Sequence, residues 1–425
     1  MMTEGDSDQR GTPAALQPED DQYEGESNEE GLPHGYGIAE YTDGSRYEGE
    51  WKEGLEHGKG KLIMADGSIY EGNFKSGLVH NTGISEWADG DRYEGEWKDG
   101  EFHGRGTMEY ADGDRYEGEW KDGEFHGRGT MEYADGDRYE GEWKEDLRHG
   151  WGKQKTAEGI VYEGEWEEGR KCHGRISMPD GLVYEGDFKD EIPSGQGKLS
   201  KPDGGVYEGS FLDGQPNGSG KASNPDGSVY EGDFRGGKMH GTGKSITADG
   251  TIYEGEWRDN IMHGWGKQKW AGGSVYEGDF KDGVPSGQGK FTMPNGGVYE
   301  GPILNGLPNG KGKGYNSDGS IYEGDYKDGF PNGQGKLSMP DGTNIEAPFL
   351  NGRVNGRGKA YNSDDSVYEG DFKDGFQTGQ GKLSMPDGRI YEGEFMRGQP
   401  HGKGRILKPD GTIIQGIWEK GNFLV

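Results

Sequence analysis

From Asp91 to Gly113 the chain reads DRYEGEWKDGEFHGRGTMEYADG, and from Asp114 to Gly136 the same 23 residues follow unchanged. The tile is not confined to this pair. Aligned on the first residue of Y-E-G, eighteen copies run from Tyr23 to the C-terminus, the last of them about half-length. The step is 23 residues, except for 24 after Tyr23 and 22 after Tyr162. A fixed period of this length is the mark of a stacked repeat architecture, in which each unit buries its apolar surface against its neighbours rather than in a central core.

Within the tile, Y-E-G-E-W alternates large, charged, small, charged, large, which is the period of a strand. Tyr93, Gly95 and Trp97 share one face and Glu94 and Glu96 the other. The stretch Gly106 to Tyr110 predicts a second strand, and D-G between the two predicts a hairpin because glycine supplies the positive φ of the turn. A three-residue Asp-Gly-x turn puts Gly106, Met108 and Tyr110 on the face of Tyr116, Gly118 and Trp120, and a one-residue slip exchanges the faces. KDGEFHG predicts a longer turn. The glycine between the two rings leaves room for a ring from a neighbouring strand to lie over it. On the opposite face Lys198, Lys221, Lys244, Lys267, Lys290, Lys336 and Lys382 stand where they can pair with the glutamates. The expected fold is therefore all-β: an elongated, single-layer antiparallel sheet built as a solenoid of about eighteen hairpin repeats over residues 23–425. Pro302 with Ile303, and Ala347 with Pro348, interrupt the strand pattern and mark candidate bends, as does the short copy around Cys172.

Composition supports periodic order over ordinary domains. Only 28% of residues are hydrophobic and 87 are glycine, yet the chain carries 11 Trp, 23 Tyr and 14 Phe, far from the aromatic-poor signature of disorder. A net charge of −32 argues against nucleic acid as a partner and, less strongly, against docking on acidic lipid. A single cysteine, Cys172, allows no intrachain disulfide. The opening MMTEGDSDQR is acidic and has no apolar leader, and no run of residues is long and apolar enough to span a bilayer, so a soluble, cytoplasmic chain is expected. Residues 1–22 predict an acidic, disordered tail.

The pattern Y-E-G-E-W-K-D-G-x-x-H-G-x-G-x-x-x-Y-x-D-G resembles that of the MORN family (membrane occupation and recognition nexus), and the resemblance covers nearly the whole chain. It implies a single-layered antiparallel array with an aromatic-lined groove, and often a homodimer. The first copy, YEGESNEEGLPHGYG from Tyr23 to Gly37, is similar to the opening of radial spoke head proteins, although eighteen copies exceed the array of the shorter ones. What this implies is a non-enzymatic scaffold that binds cytoskeletal or axonemal proteins in a cilium or flagellum. The alternative implied by the family is a peripheral membrane organiser that binds phosphoinositides. Relatives with kinase or methyltransferase activity carry a separate catalytic domain, for which 22 residues outside the array leave no room.

No residue pattern suggests a catalytic centre, a cofactor or a metal. Nine histidines recur in the H-G step, His34, His57, His80, His103, His126, His149, His240, His263 and His401, with His173 displaced by one. One per repeat spaces them by about 10 Å, too far apart to share an ion. Glu94 and Glu96 recur in nearly every tile and read as a solvated, lysine-paired face rather than as acid–base machinery. Cys172 has only Lys171 and His173 beside it. The feature with a functional reading is the aromatic groove, formed by Tyr47, Trp51, Tyr70, Phe74, Tyr93, Trp97, Tyr116, Trp120, Tyr139, Trp143, Tyr162 and Trp166, to which an extended or helical segment of a partner is expected to bind.

Overall fold

The structure is a computed structural model and describes residues 22–425. The tail expected over 1–22 lies outside the described residues, apart from Gln22. The chain divides into two compact units, one ending at Gln215 and the other spanning Pro216–Val425. Among the described residues there are thirty-eight strands, the first seventeen ending at Leu212 and the next beginning at Gln215. No helix occurs among the described residues. Within each unit strands pair antiparallel with their neighbours in sequence, except that Leu307–Pro308 and Gly310–Tyr315 both pair with Val298–Leu304, and Arg353–Val354 and Gly356–Tyr361 both with Asn344–Leu350, so each is an open array of consecutive hairpins, the all-β repeat fold expected.

The repeated copy at Asp91–Gly136 shows how one tile works. Arg92–Lys98 pairs with Glu101–Glu109, and that strand pairs in turn with Arg115–Lys121. Gly106 lies opposite Gly118 and Met108 opposite Tyr116, which is the predicted division of faces. The connecting loop differs from the expectation. Tyr110 N–H donates to Asp114 C=O at 2.9 Å and Gly113 N–H donates to Tyr110 C=O at 2.9 Å, leaving Ala111, Asp112 and Gly113 as the three loop residues. The register is thus two residues away from that of an Asp-Gly-x turn. A shift of two keeps every side chain on its face.

KDGEFHG is not a longer turn. Lys98 pairs with Glu101 across two residues only, Asp99 (φ +49°) and Gly100 (φ +98°), which is the doubly left-handed hairpin turn that matches strand twist. The second strand begins at once and carries the histidine within it. Its pairing steps from Glu96↔His103 to Gly95↔Gly106, so Gly104 and Arg105 bulge on that side while remaining paired on the other with Trp120 and Glu119. The two proline-bearing copies break at this bulge: their second strands are split into Leu307–Pro308 and Gly310–Tyr315, and into Arg353–Val354 and Gly356–Tyr361.

Candidate functional site

The twelve predicted groove residues lie on one face of the first unit, and all are buried, with Tyr47, Tyr93 and Tyr116 at 0% exposure. They form a continuous zigzag. Tyr47 meets Trp51 of its own strand edge to face at 5.1 Å and Phe74 of the next repeat at 4.9 Å. Tyr70 bridges Phe74 and Trp97 in the same way, at 5.0 and 5.5 Å, and Tyr93 bridges Trp97 and Trp120, at 5.0 and 5.4 Å. Such edge-to-face pairs add about 0.5–1.5 kcal/mol each beyond their burial.

Polar ends of the rings are also used. Tyr93 O–H donates to Glu96 C=O at 2.9 Å, and Trp120 Nε1–H donates back to Gly106 C=O of the preceding repeat at 3.3 Å. Burial raises the Tyr93 hydroxyl above the usual phenol range, with the Glu96 carboxylate adding to the effect.

The glycine pair makes room for a ring: for Gly95, between the two aromatics, it is Tyr93 of its own strand, and for Gly106 it is the same Tyr93 from the neighbouring strand. A Cβ placed on Gly95 would lie 2.5 Å from Tyr93 Oη and 2.5 Å from Gly106 Cα. A further set of residues, hidden from sequence reading inside the supposed long turn, closes over the rings. Phe102 stands opposite Trp97 and lies 4.2 Å from Tyr93, and Phe125 stacks on Tyr116 at 3.9 Å. Arg148 takes this place over Tyr139 at 5.2 Å and Trp166 at 5.1 Å, and Lys171 over Tyr162 at 5.2 Å. In another copy the slot holds Glu56, which is buried and receives the Tyr41 hydroxyl, and whose carboxyl burial holds above its ordinary range.

The opposite face is polar. In the second unit Lys267–Glu277, Lys290–Glu300 and Lys336–Glu346 close across adjacent strands at 2.8, 3.0 and 3.1 Å, the predicted lysine–glutamate pairing. Exposed pairs like these contribute at most about 1 kcal/mol each. The second acid of Y-E-G-E has a structural task as well. Glu96 Oε1 accepts Arg105 N–H at 3.0 Å and Asp279 Oδ2 accepts Gln288 N–H at 2.9 Å, tying down the bulge. In the first unit this face forms a shallow trough of about 860 Å³ lined by Tyr36, Lys59, Lys61, Glu71, Glu94 and Arg105 among others.

Several large rings stand off the aromatic face, Trp151 and Trp265 among them. Trp151 is 59% and Trp265 56% exposed, each in the heptapeptide HGWGKQK and each on the polar side. Their position, two residues after the histidine, falls out of phase with Y-E-G-E-W, and that offset was the available signal.

The histidines sit at the strand bulges. His80 Nδ1 lies 3.4 Å from Asp99 Oδ1 and His173 Nδ1 2.8 Å from Asp187 Oδ1. Among the described residues no group of three or more His, Cys, Asp or Glu converges as a metal site would require. Burial, together with Glu167 and Glu165, pushes the Cys172 thiol up, which lowers its thiolate fraction at neutral pH.

Comparison with protein families matches the MORN repeat fifteen times, without a gap larger than two residues from 23 to 298, and then over 322–344, 368–388 and 391–413. The unmatched stretches between these include the two copies in which proline splits the second strand. No curated protein matches the chain. Solved structures overlap only loosely. The SAS-4 TCP domain of Drosophila melanogaster, bound to a proline-rich motif of Ana2, is 15% identical with a TM-score of 0.25, covering 37% of this chain and 85% of that one. The TCP10 domain of Danio rerio CPAP with a STIL peptide is 14% identical with a TM-score of 0.12, covering 73% and 98%. A streptogramin B lyase is 15% identical with a TM-score of 0.12, covering 67% and 88%. Overlaps this loose transfer neither shape nor binding to the present chain.

Proposed function

Since this chain belongs to the MORN-repeat family, we propose that it is a non-enzymatic scaffold whose repeated hairpins hold protein partners in a row. One observation carries this reading: the rings that define the tile are spent on packing hairpin to hairpin, while the outward slots of the polar face vary from copy to copy. Tyr36, Lys59, Thr82, Arg105, Arg128 and Trp151 occupy one such slot in successive repeats. A rigid spine with variable outward positions is how repeat proteins build extended binding surfaces. In this role the twelve-ring set keeps the surface in shape, and any partner lying on that face meets the spine together with the residues that close over it.

In our reading the scaffold works in the cytoplasm of a ciliated or flagellated cell, within the axoneme, and what supports this is the resemblance of the opening Tyr23–Gly37 to that of radial spoke head proteins. The deciding experiment is localisation of a fluorescently tagged full-length chain in its native cell. Signal along a cilium that survives detergent extraction supports an axonemal scaffold. Signal at a membrane and lost in detergent, together with co-sedimentation on phosphoinositide vesicles at physiological salt, replaces it with the lipid-binding alternative.

A further inference from the structure

The outward slot occupied by Trp151 and Trp265 varies in the other copies: Thr82, Ser219, Thr242 and Gln380 face an acid there, and in four copies a base does. Arg105 stands opposite Glu119, Arg128 opposite Glu142, Lys311 opposite Asp325 and Arg357 opposite Asp371. Directly opposed residues on one face of a sheet are neighbours, so in these copies the chain itself places a cation across from the acid, although no ion pair closes between them among the described residues. In the two HGWGKQK copies the acid is kept and the base is replaced by an indole: Trp151 faces Glu165, and Trp265 faces Asp279. The nearby lysines do not make up the difference. Lys153 is held by Glu163 at 2.5 Å and Lys267 by Glu277 at 2.8 Å. Among the described residues neither Glu165 nor Asp279 takes part in an ion pair.

We propose that each of these two places, one in each unit, binds a basic side chain of a protein partner, with arginine the better fit. The guanidinium stacks on the exposed indole and its edge hydrogen-bonds the carboxylate across the strand, filling the position that Arg105 or Lys311 fills from within. Arginine suits both contacts, since it is planar, weakly hydrated, stacks on aromatic faces and presents paired donors to a carboxylate. The net charge of −32 favours approach of such a segment and disfavours an acidic one. This inference rests on reading the array as a protein scaffold and adds the chemistry of the partner.

The test uses the full-length chain and a fluorescein-labelled peptide of alternating glycine and arginine, with the citrulline version as the uncharged control. Anisotropy at physiological salt should show binding of the arginine peptide only. Trp151→Ala combined with Trp265→Ala should weaken it by about three- to ten-fold per indole, whereas Trp→Phe at both positions should retain most of it. Trp151→Arg with Trp265→Arg, which installs the internal base of those four copies, should abolish binding. Both rings are exposed, and circular dichroism identifies any variant that fails to fold. For such a variant, loss of the arginine peptide in Glu165→Gln with Asp279→Asn replaces the indole test. Wild-type affinity in the folded alanine variant overturns the proposal and assigns the attraction to diffuse negative charge. Absence of binding to the wild-type chain overturns it too. Either failure leaves the scaffold reading intact, because that reading falls only on the localisation experiment.

Discussion

Asp146 Oδ1 accepts the backbone N–H of Phe125 at 2.7 Å, twenty-one residues earlier in the chain. Asp146 occupies the second place of a two-residue turn where most copies have glycine, and it does so at φ +62°, directly after Glu145 at φ +51°. Asn260 does the same for Met239 N–H at 2.8 Å, and Glu191 for Lys171 N–H at 3.1 Å. A left-handed backbone costs about 1–2 kcal/mol for a residue with a side chain. A bond reaching back to the preceding repeat offsets that cost. Asp146→Ala keeps the strained backbone and loses the bond, and should destabilise the array by about 1–2 kcal/mol. Asp146→Gly loses the bond but relieves the strain, and should be nearly neutral in urea unfolding. In both, hydrogen exchange at the Phe125 amide should accelerate; unchanged protection there would show that the side chain does not hold the two repeats together.

Gly95 tests the limits of space. Its backbone does not need glycine's conformational freedom, since its φ is not positive, yet a methyl group would meet Gly106 Cα, which is backbone and cannot rotate away. Gly95→Ala should cost about 1–3 kcal/mol and separate the tyrosine ring from its strand, seen as a loss of near-ultraviolet circular dichroism. Gly123→Ala is the control. It has open space but φ +86°, and should cost about 1 kcal/mol with the aromatic signal intact.

The tyrosine spine predicts how the protein fails in base. Burial pushes the hydroxyls of Tyr184, Tyr207, Tyr253, Tyr276, Tyr322 and Tyr368 up to about 12, from the 10.0 of a free phenol. Folding favours their neutral form. Their contribution is therefore complete below pH 10 and is lost as pH rises through about 12. Because the groups recur along the chain, the urea midpoint should fall progressively across that window, with tyrosinate absorbance rising in step with loss of β-structure. Ionisation of most tyrosines near pH 10 in a chain that stays folded would contradict the packing described.

Pro302 suggests a repair. In regular copies the acid at this place holds the bulge, as Glu50 does by accepting Lys59 N–H at 3.1 Å. Pro302 has no carboxylate, and the following strand is broken. Pro302→Glu should let the new side chain accept Lys311 N–H, join the two strand pieces and stabilise the unit by about 1 kcal/mol. Slowed exchange at the Lys311 amide is the direct readout.

The period, the two faces and the ring-over-glycine packing were legible in the sequence because alternation in Y-E-G-E-W is a local signal. The tight turn at Asp99–Gly100 was not. K-D-G-E-F-H-G is rich in glycine and charge, which reads as loop, and only the backbone shows that the strand resumes at Glu101 and absorbs its extra residues in a bulge at Gly104 and Arg105. The same bulge conceals two further things. It changes the count of alternation, so Phe102 lands over the rings, and it turns Trp151 and Trp265 outward although a plain count of aromatics adds them to the core. The place of Pro302 and Pro348 was visible, and so was the disturbance of the strand.

Each ring in the spine touches only rings of its own repeat and of the repeats on either side, and the segments 91–113 and 114–136 are identical. Excising the second would bring Trp143 to Tyr93 where Trp120 now stands, the same residue in the same frame. The fold therefore sets no length of its own. It behaves as a ruler graduated in whole tiles, whose span in a lineage is free to lengthen or shorten by inheritance without any single graduation being redrawn.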